Sequence, residues 1–132
     1  MGDVMIDHTS LNVADYETAK KWYSAALAPL GIEIIMEFPK SITGHVDTAG
    51  YGWNGKPFFW LASGGKTMPH IHLAFRAQNR AQVKAFYDAA IAAGGRDNGG
   101  PGLRELYHPN YYGAFVLGLD GNNIEAVSHG PD

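Results

Sequence analysis

Two stretches of the chain, DHTSLNVADYETAKKWYSAALAPLG at residues 7–31 and IHLAFRAQNRAQVKAFYDAAIAAGG at residues 71–95, run in step at a constant offset of 64. His8 falls on His72, Leu11 on Phe75, Asp15 on Asn79, Lys20 on Lys84, Trp22 on Phe86, Tyr23 on Tyr87, Leu27 on Ile91 and Gly31 on Gly95. A match sustained over that length marks an internal repeat, and it governs how the rest of the sequence is read.

Each copy opens with an alternating apolar–polar run, Ile6 to Val13 and His70 to Ala77, which predicts a half-buried strand. Asp15 and Asn79 then stand where a helix N-cap is wanted. Ala19, Trp22, Tyr23, Ala26, Leu27 and Leu30 keep the spacing of one apolar helix face, and Val83, Phe86, Tyr87, Ala90 and Ile91 repeat it. Gly31 and Gly95 fit the helix stops. Short β-like runs follow both helices: IEIIMEF, HVDTAGYGW and PFFWLAS in the first half, RDNG, RELY, YYGAFVLGL and NIEAVSH in the second. Asn54-Gly55 and Asp120-Gly121 between the last two runs of each half are hairpin turns by composition. Both halves therefore read βαβββ. The expected class is α+β, one domain over 1–132 made of modules 1–66 and 67–132, with the change-over near residues 63–69.

Size and composition agree with this. A chain of 132 residues fits one domain, and 17 glycines point to many turns. A net charge of −3 with ten scattered Lys and Arg gives no basic stripe, so neither nucleic acid nor an anionic membrane is an expected partner, and the expected ligand is a small molecule. No cysteine is present, which removes disulfides, thiolate nucleophiles and cysteine-held zinc. The opening MGDVMIDH lacks the basic and long apolar regions of a leader, and Ile6 breaks the myristoylation pattern. A cytoplasmic location is the default expectation. GYGWNG at 50–55 spells a dinucleotide fingerprint but leads into a strand, and GGKT at 64–67 lacks both the first glycine and the helix of a phosphate loop.

The strand period places chemistry on one face. His8, Ser10 and Asn12 alternate with Thr9, Leu11 and Val13, and His70, His72, Ala74 and Arg76 alternate with Ile71, Leu73 and Phe75. His8 and His72 thus occupy equivalent positions turned away from the helices. Pairing of residue 124 with about 119 across Asp120-Gly121 puts Glu125 on one face with Val116, Ala114 and Tyr112, while Tyr111 and Phe115 point the other way. A charge on a packed strand needs a partner. If the modules curl around a shared cleft, His8, His72 and Glu125 converge there, and two imidazoles with one carboxylate form a facial triad for a divalent metal. The competing reading has His8 and His72 as hydrogen-bonded cleft histidines and Glu125 paired with an arginine. His45, His70, His108 and His129 fit surface or loop roles, and His70 is the most suggestive because it shares the face of His72.

MIDHTSLNV at the start, HIHLAF at mid-chain, the two matched helices and LDGNNIEAV near the end together resemble the vicinal oxygen chelate superfamily, the glyoxalase, bleomycin-resistance and extradiol-dioxygenase family. The resemblance spans nearly the whole chain. It implies paired βαβββ modules in a half-open, barrel-like sheet with helices outside, metal ligands at His8, His72 and Glu125, and a homodimer. A fourth ligand position of that family falls here on Phe59, Trp60 or Leu61, none of which binds metal. Glyoxalase-type isomerases use a carboxylate there as ligand and base, so the three-ligand set looks more like the family's ring-cleaving dioxygenases or its thiol transferases and lyases.

The resemblance thus implies a divalent ion, Fe, Mn, Ni or Zn, chelating a small oxygen-bearing substrate. Phe59, Trp60 and Tyr112 are the expected aromatic pocket wall, and Tyr112, His70 and His108 the candidates for proton transfer. The alternative is a metal-free drug-binding protein of the bleomycin-resistance kind.

Overall fold

In the computed structural model, which describes residues 5–132, the repeat becomes two βαβββ units. The amino-terminal residues on which part of the leader and myristoylation readings rests lie outside that range. The first unit is β1 (Thr9–Asn12), α1 (Tyr16–Leu27) with a further 3₁₀ turn at Ala28–Leu30, β2 (Glu33–Phe38), a one-turn α2 (Lys40–Thr43), β3 (Thr48–Trp53) and β4 (Lys56–Ala62). The second is β5 (His72–Arg76), α3 (Arg80–Ala92), β6 (Arg96–Asp97), β7 (Gly102–Leu103), β8 (Tyr112–Leu117) and β9 (Asn123–Ser128).

Local sequence accounts for the helix starts. The Asp15 carboxylate accepts from Thr18 N at 3.1 Å, and the Asn79 side chain accepts from Gln82 N at 2.9 Å, each satisfying an otherwise orphaned amide of the first turn. The stops differ slightly from expectation: Gly31 is left-handed, but in the second unit that conformation falls on Gly94 rather than Gly95. RELY forms no strand, and the short β7 lies just before it. Asn54 and Gly55 both have positive φ, as a two-residue hairpin turn requires, and they join β3 to β4 with Trp53 opposite Lys56.

The sheets run β1-β4-β3-β2 and β5-β9-β8-β6, with β7 also on β8. In each, the first strand of the unit lies parallel to the last: Ser10 opposite Trp60, Ala74 opposite Glu125. The two sheets do not close into one barrel, and β1 and β5 are both edge strands.

One core runs through both units. Leu11, Trp22, Leu27, Phe59 and Leu61 of the first meet Phe75, Val83, Phe86 and Ile124 of the second, all nearly or fully buried. Each such side chain contributes about 1.5–3 kcal/mol by leaving water. Phe59 packs edge-to-face on Phe75 at 5.2 Å, and Trp22 Nε1 of α1 donates to the Ala90 carbonyl of α3 at 3.0 Å. Asp120 adds a polar tie, accepting from Ala14 N at 3.0 Å. With one face of each sheet covered in this way, the other face is free for chemistry.

Candidate functional site

The second sheet carries a buried carboxylate on its helix-averted face. Glu125 is fully buried, yet both of its oxygens are occupied: His72 Nε2 lies 2.7 Å from Oε1, and the Tyr111 hydroxyl donates to Oε2. Burial first, then the neighbouring Glu125, hold the Tyr111 hydroxyl well above the ordinary tyrosine range, so it stays protonated and donates. Phe115 stands across the ladder from Glu125 and 6.1 Å from the His72 ring, and Arg104 lies over Phe115 at 5.3 Å. Gly113 completes the seat. A Cβ there would come within 3.1 Å of Glu125 Oε2 and 3.2 Å of the Tyr111 ring, so the absent side chain makes room for both.

This arrangement corrects the expected register. The last hairpin is not a two-residue turn: Gly118 N donates to Asn122 O, Gly121 N to Gly118 O, and Leu117 pairs with Asn123. Phe115 rather than an even-numbered residue therefore opposes Glu125, and an odd shift in register exchanges the two faces of β8. Tyr111 and Phe115 join Glu125. Tyr112, expected on the pocket wall and in proton transfer, is instead buried on the helix side beneath Arg80, whose guanidinium lies 5.1 Å from its ring. Only the turn length could have revealed Tyr111, and the Asp-Gly dipeptide masked it.

Phe59 is likewise a core residue, packed on Tyr23, Tyr51 and Phe75. Trp60 takes the other face. It stacks on Phe38 at 6.2 Å and, with His8, Ser10, Thr48, Lys56 and Pro57, lines an open cavity of about 340 Å³. His8 is exposed and bonded to Asp7 at 2.8 Å, which also meets Lys56 Nζ at 2.9 Å. His70 packs against Gly121 in the last hairpin loop. His108 faces His129.

The structure thus brings His72 and Glu125 together and leaves His8 in the first unit's cavity. Among the described residues, no three His, Asp or Glu side chains converge to hold a metal. Trp60 opposes Ser10 as Glu125 opposes Ala74, so of Phe59, Trp60 and Leu61 it is Trp60 that stands level with Glu125.

With that geometry in view, the chain belongs to the Glyoxalase/Bleomycin resistance protein/Dioxygenase superfamily, whose family model matches residues 5–126. Its fold is similar to that of a glyoxalase/bleomycin resistance protein from Albidiferax ferrireducens, with a TM-score of 0.71 and 28% identity over 96% of this chain and 100% of that one. A glyoxalase I variant from Zea mays gives 0.69 and 18% identity, over 92% of this chain and 43% of that one. The genomically encoded fosfomycin resistance protein FosX from Listeria monocytogenes, complexed with Mn(II) and sulfate ion, gives 0.67 and 14% identity over 99% and 95%. No curated protein matches the chain. No described helix is long and apolar enough to cross a membrane.

Proposed function

We propose that the chain is a metal-dependent enzyme in which His72 and Glu125 of one copy and His8 of a second hold a divalent ion, and that it transforms a small oxygen-chelating, aromatic or apolar substrate. The observation that carries this is the Glu125 carboxylate, wholly buried with an imidazole nitrogen 2.7 Å from one oxygen. Nitrogen and oxygen donors at that separation fit two neighbouring positions around an ion bound at about 2.0–2.2 Å. The donor set suits Fe, Mn, Ni or Zn. When bound, the ion supplies Lewis-acid stabilisation of negative charge on substrate oxygens.

The chain's own residues do the rest. Glu125 is held in place by Tyr111, which replaces Tyr112 as the tyrosine nearest the reacting groups and keeps its proton near them. Trp60 and Phe38 offer a flat apolar wall beside His8. Sharing of the site between copies is supported by the placement of His8 in the first unit's cavity, apart from the His72–Glu125 pair. The free edges β1 and β5 are the surfaces that a second copy would cover.

Metal analysis tests the proposal, followed by mixing of two variants. His8→Ala and His72→Ala each lose the ion, and mixed dimers of the two regain it in one of their two sites, because one copy brings an intact His8 and the other an intact His72 and Glu125. Absence of metal from the wild-type protein, with aromatic ligands bound equally well before and after loading, would favour the sequestering alternative, for which the cavity lined by Trp60 is the supporting feature. Metal bound without recovery on mixing would place all three ligands in one chain.

A further inference from the structure

The loop before β8 and the residue after β9 bring together two imidazoles outside the His72–Glu125 pair. His108 Nε2 and His129 Nδ1 face each other end to end at 2.5 Å, with the ring centroids 4.7 Å apart and the ring planes inclined at 25°. Tyr111 packs edge-on against both, at 5.7 and 5.4 Å. We propose that His108 and His129 form a second, separate site for a borderline transition-metal ion, Cu(II), Zn(II) or Ni(II), which clamps the loop carrying Tyr111 to the end of β9.

The donor chemistry selects the ion. Two imidazoles without a carboxylate suit copper, nickel and zinc, and match hard ions such as Mn(II) or Mg(II) poorly. Both histidines are at least partly accessible, so water fills the remaining positions. Binding to two nitrogens at about 2.0–2.1 Å requires them to part to roughly 3 Å and each ring to turn by roughly 40°, so that both lone pairs meet at the ion. It also moves the His108 proton to Nδ1, releasing the 3.2 Å contact that this nitrogen accepts from Asn110 N. Water takes over that amide at this exposed position.

The proposed site is read apart from the first by copper titration of the full chain carrying His72→Ala and Glu125→Gln, with electron paramagnetic resonance as the readout. One Cu(II) per chain is expected, with coupling to two imidazole nitrogens. Adding His108→Ala or His129→Ala should weaken it about 10-fold or more and remove one nitrogen from the spectrum. If the double variant does not fold, the same comparison in the wild-type background reads the loss of one copper equivalent on His108→Ala. Copper binding that ignores His108 and His129, or no copper retained, means that the two rings form an N–H···N pair only and overturns the proposal. The outcome is independent of whether His8, His72 and Glu125 bind metal, because two of those three ligands, His72 and Glu125, are absent from the first experiment.

Discussion

Trp60 in the first unit stands where Glu125 stands in the second: each sits on the last strand of its unit, two residues beyond the level of its unit's histidine, and each faces away from the helices. The repeat has kept the seat and changed the chemistry of its occupant. An indole neither coordinates a metal nor removes a carbon-bound proton.

Negligible isomerisation of a glutathione hemithioacetal is therefore expected at any metal loading. A spectrophotometric assay with Zn(II)-, Ni(II)- and Mn(II)-loaded protein checks this. Turnover well above the rate without enzyme would mean that another group supplies the base, and Tyr111→Phe would be the first variant to examine.

Tyr111→Phe removes the hydroxyl from Glu125 while keeping the ring that packs on His108 and His129. Removing one partner of a buried acceptor costs about 1–3 kcal/mol, and the low end applies because Tyr111 is only partly buried. Urea unfolding in the presence of a chelator measures the loss. Metal affinity should fall roughly 10-fold or more, since the carboxylate loses the contact that orients it. Unchanged values for both would remove Tyr111 from the site.

Gly113→Ala probes the same seat sterically. Its Cβ would lie 3.1 Å from Glu125 Oε2, so the carboxylate must shift by a few tenths of an ångström. Metal binding should weaken more than stability does, as read by metal titration beside thermal unfolding of the apo-protein. A variant that binds metal like the parent would show that the position of Oε2 is immaterial.

Acid stability should depend on Glu37, far from the site. The Lys20 ammonium at 2.7 Å, with the Tyr16 hydroxyl at 2.9 Å, holds its carboxyl below the ordinary 4.5 despite partial desolvation. A depressed folded-state value stabilises above that ordinary value, and the contribution disappears as pH falls through the lower one. Glu37→Gln should thus be the less stable protein near neutrality, with the gap closing as pH falls below the ordinary 4.5. The gap is small, because the carboxylate is 41% exposed. A constant difference across that range would assign the effect to packing.

The parts of the fold that repeat were legible, because apolar spacing and N-cap chemistry are local properties. Asp15 and Asn79 cap as expected, and His8 and His72 share the helix-averted face with Ser10 and Ala74. The last hairpin was not legible, because Asp120-Gly121 has the composition of a tight turn while the bonds between Gly118 and Asn122 make a longer loop. That difference exchanged Tyr111 for Tyr112. Periodicity within one chain fixes faces and not the distance between sheets, so it does not show whether His8 meets His72 and Glu125.

The ladders also shape how the chain reaches this state. Among the described residues every strand pairs only within its own unit, and the units are joined by packing, the Trp22–Ala90 bond, the Asp120–Ala14 contact and the bonds between Asn12 and Thr67 of the connecting segment. Each half can therefore complete its hydrogen-bonded framework before docking, and the two should behave as separate cooperative units in native-state hydrogen exchange. Trp22→Phe, which removes the bond across α1 and α3, should lower the protection of both units toward their individual values, and pulse labelling during refolding should find the two frameworks protected before the indole is buried. A single exchange isotherm for β3 and β8, unchanged by that substitution, would mean that the halves fold as one.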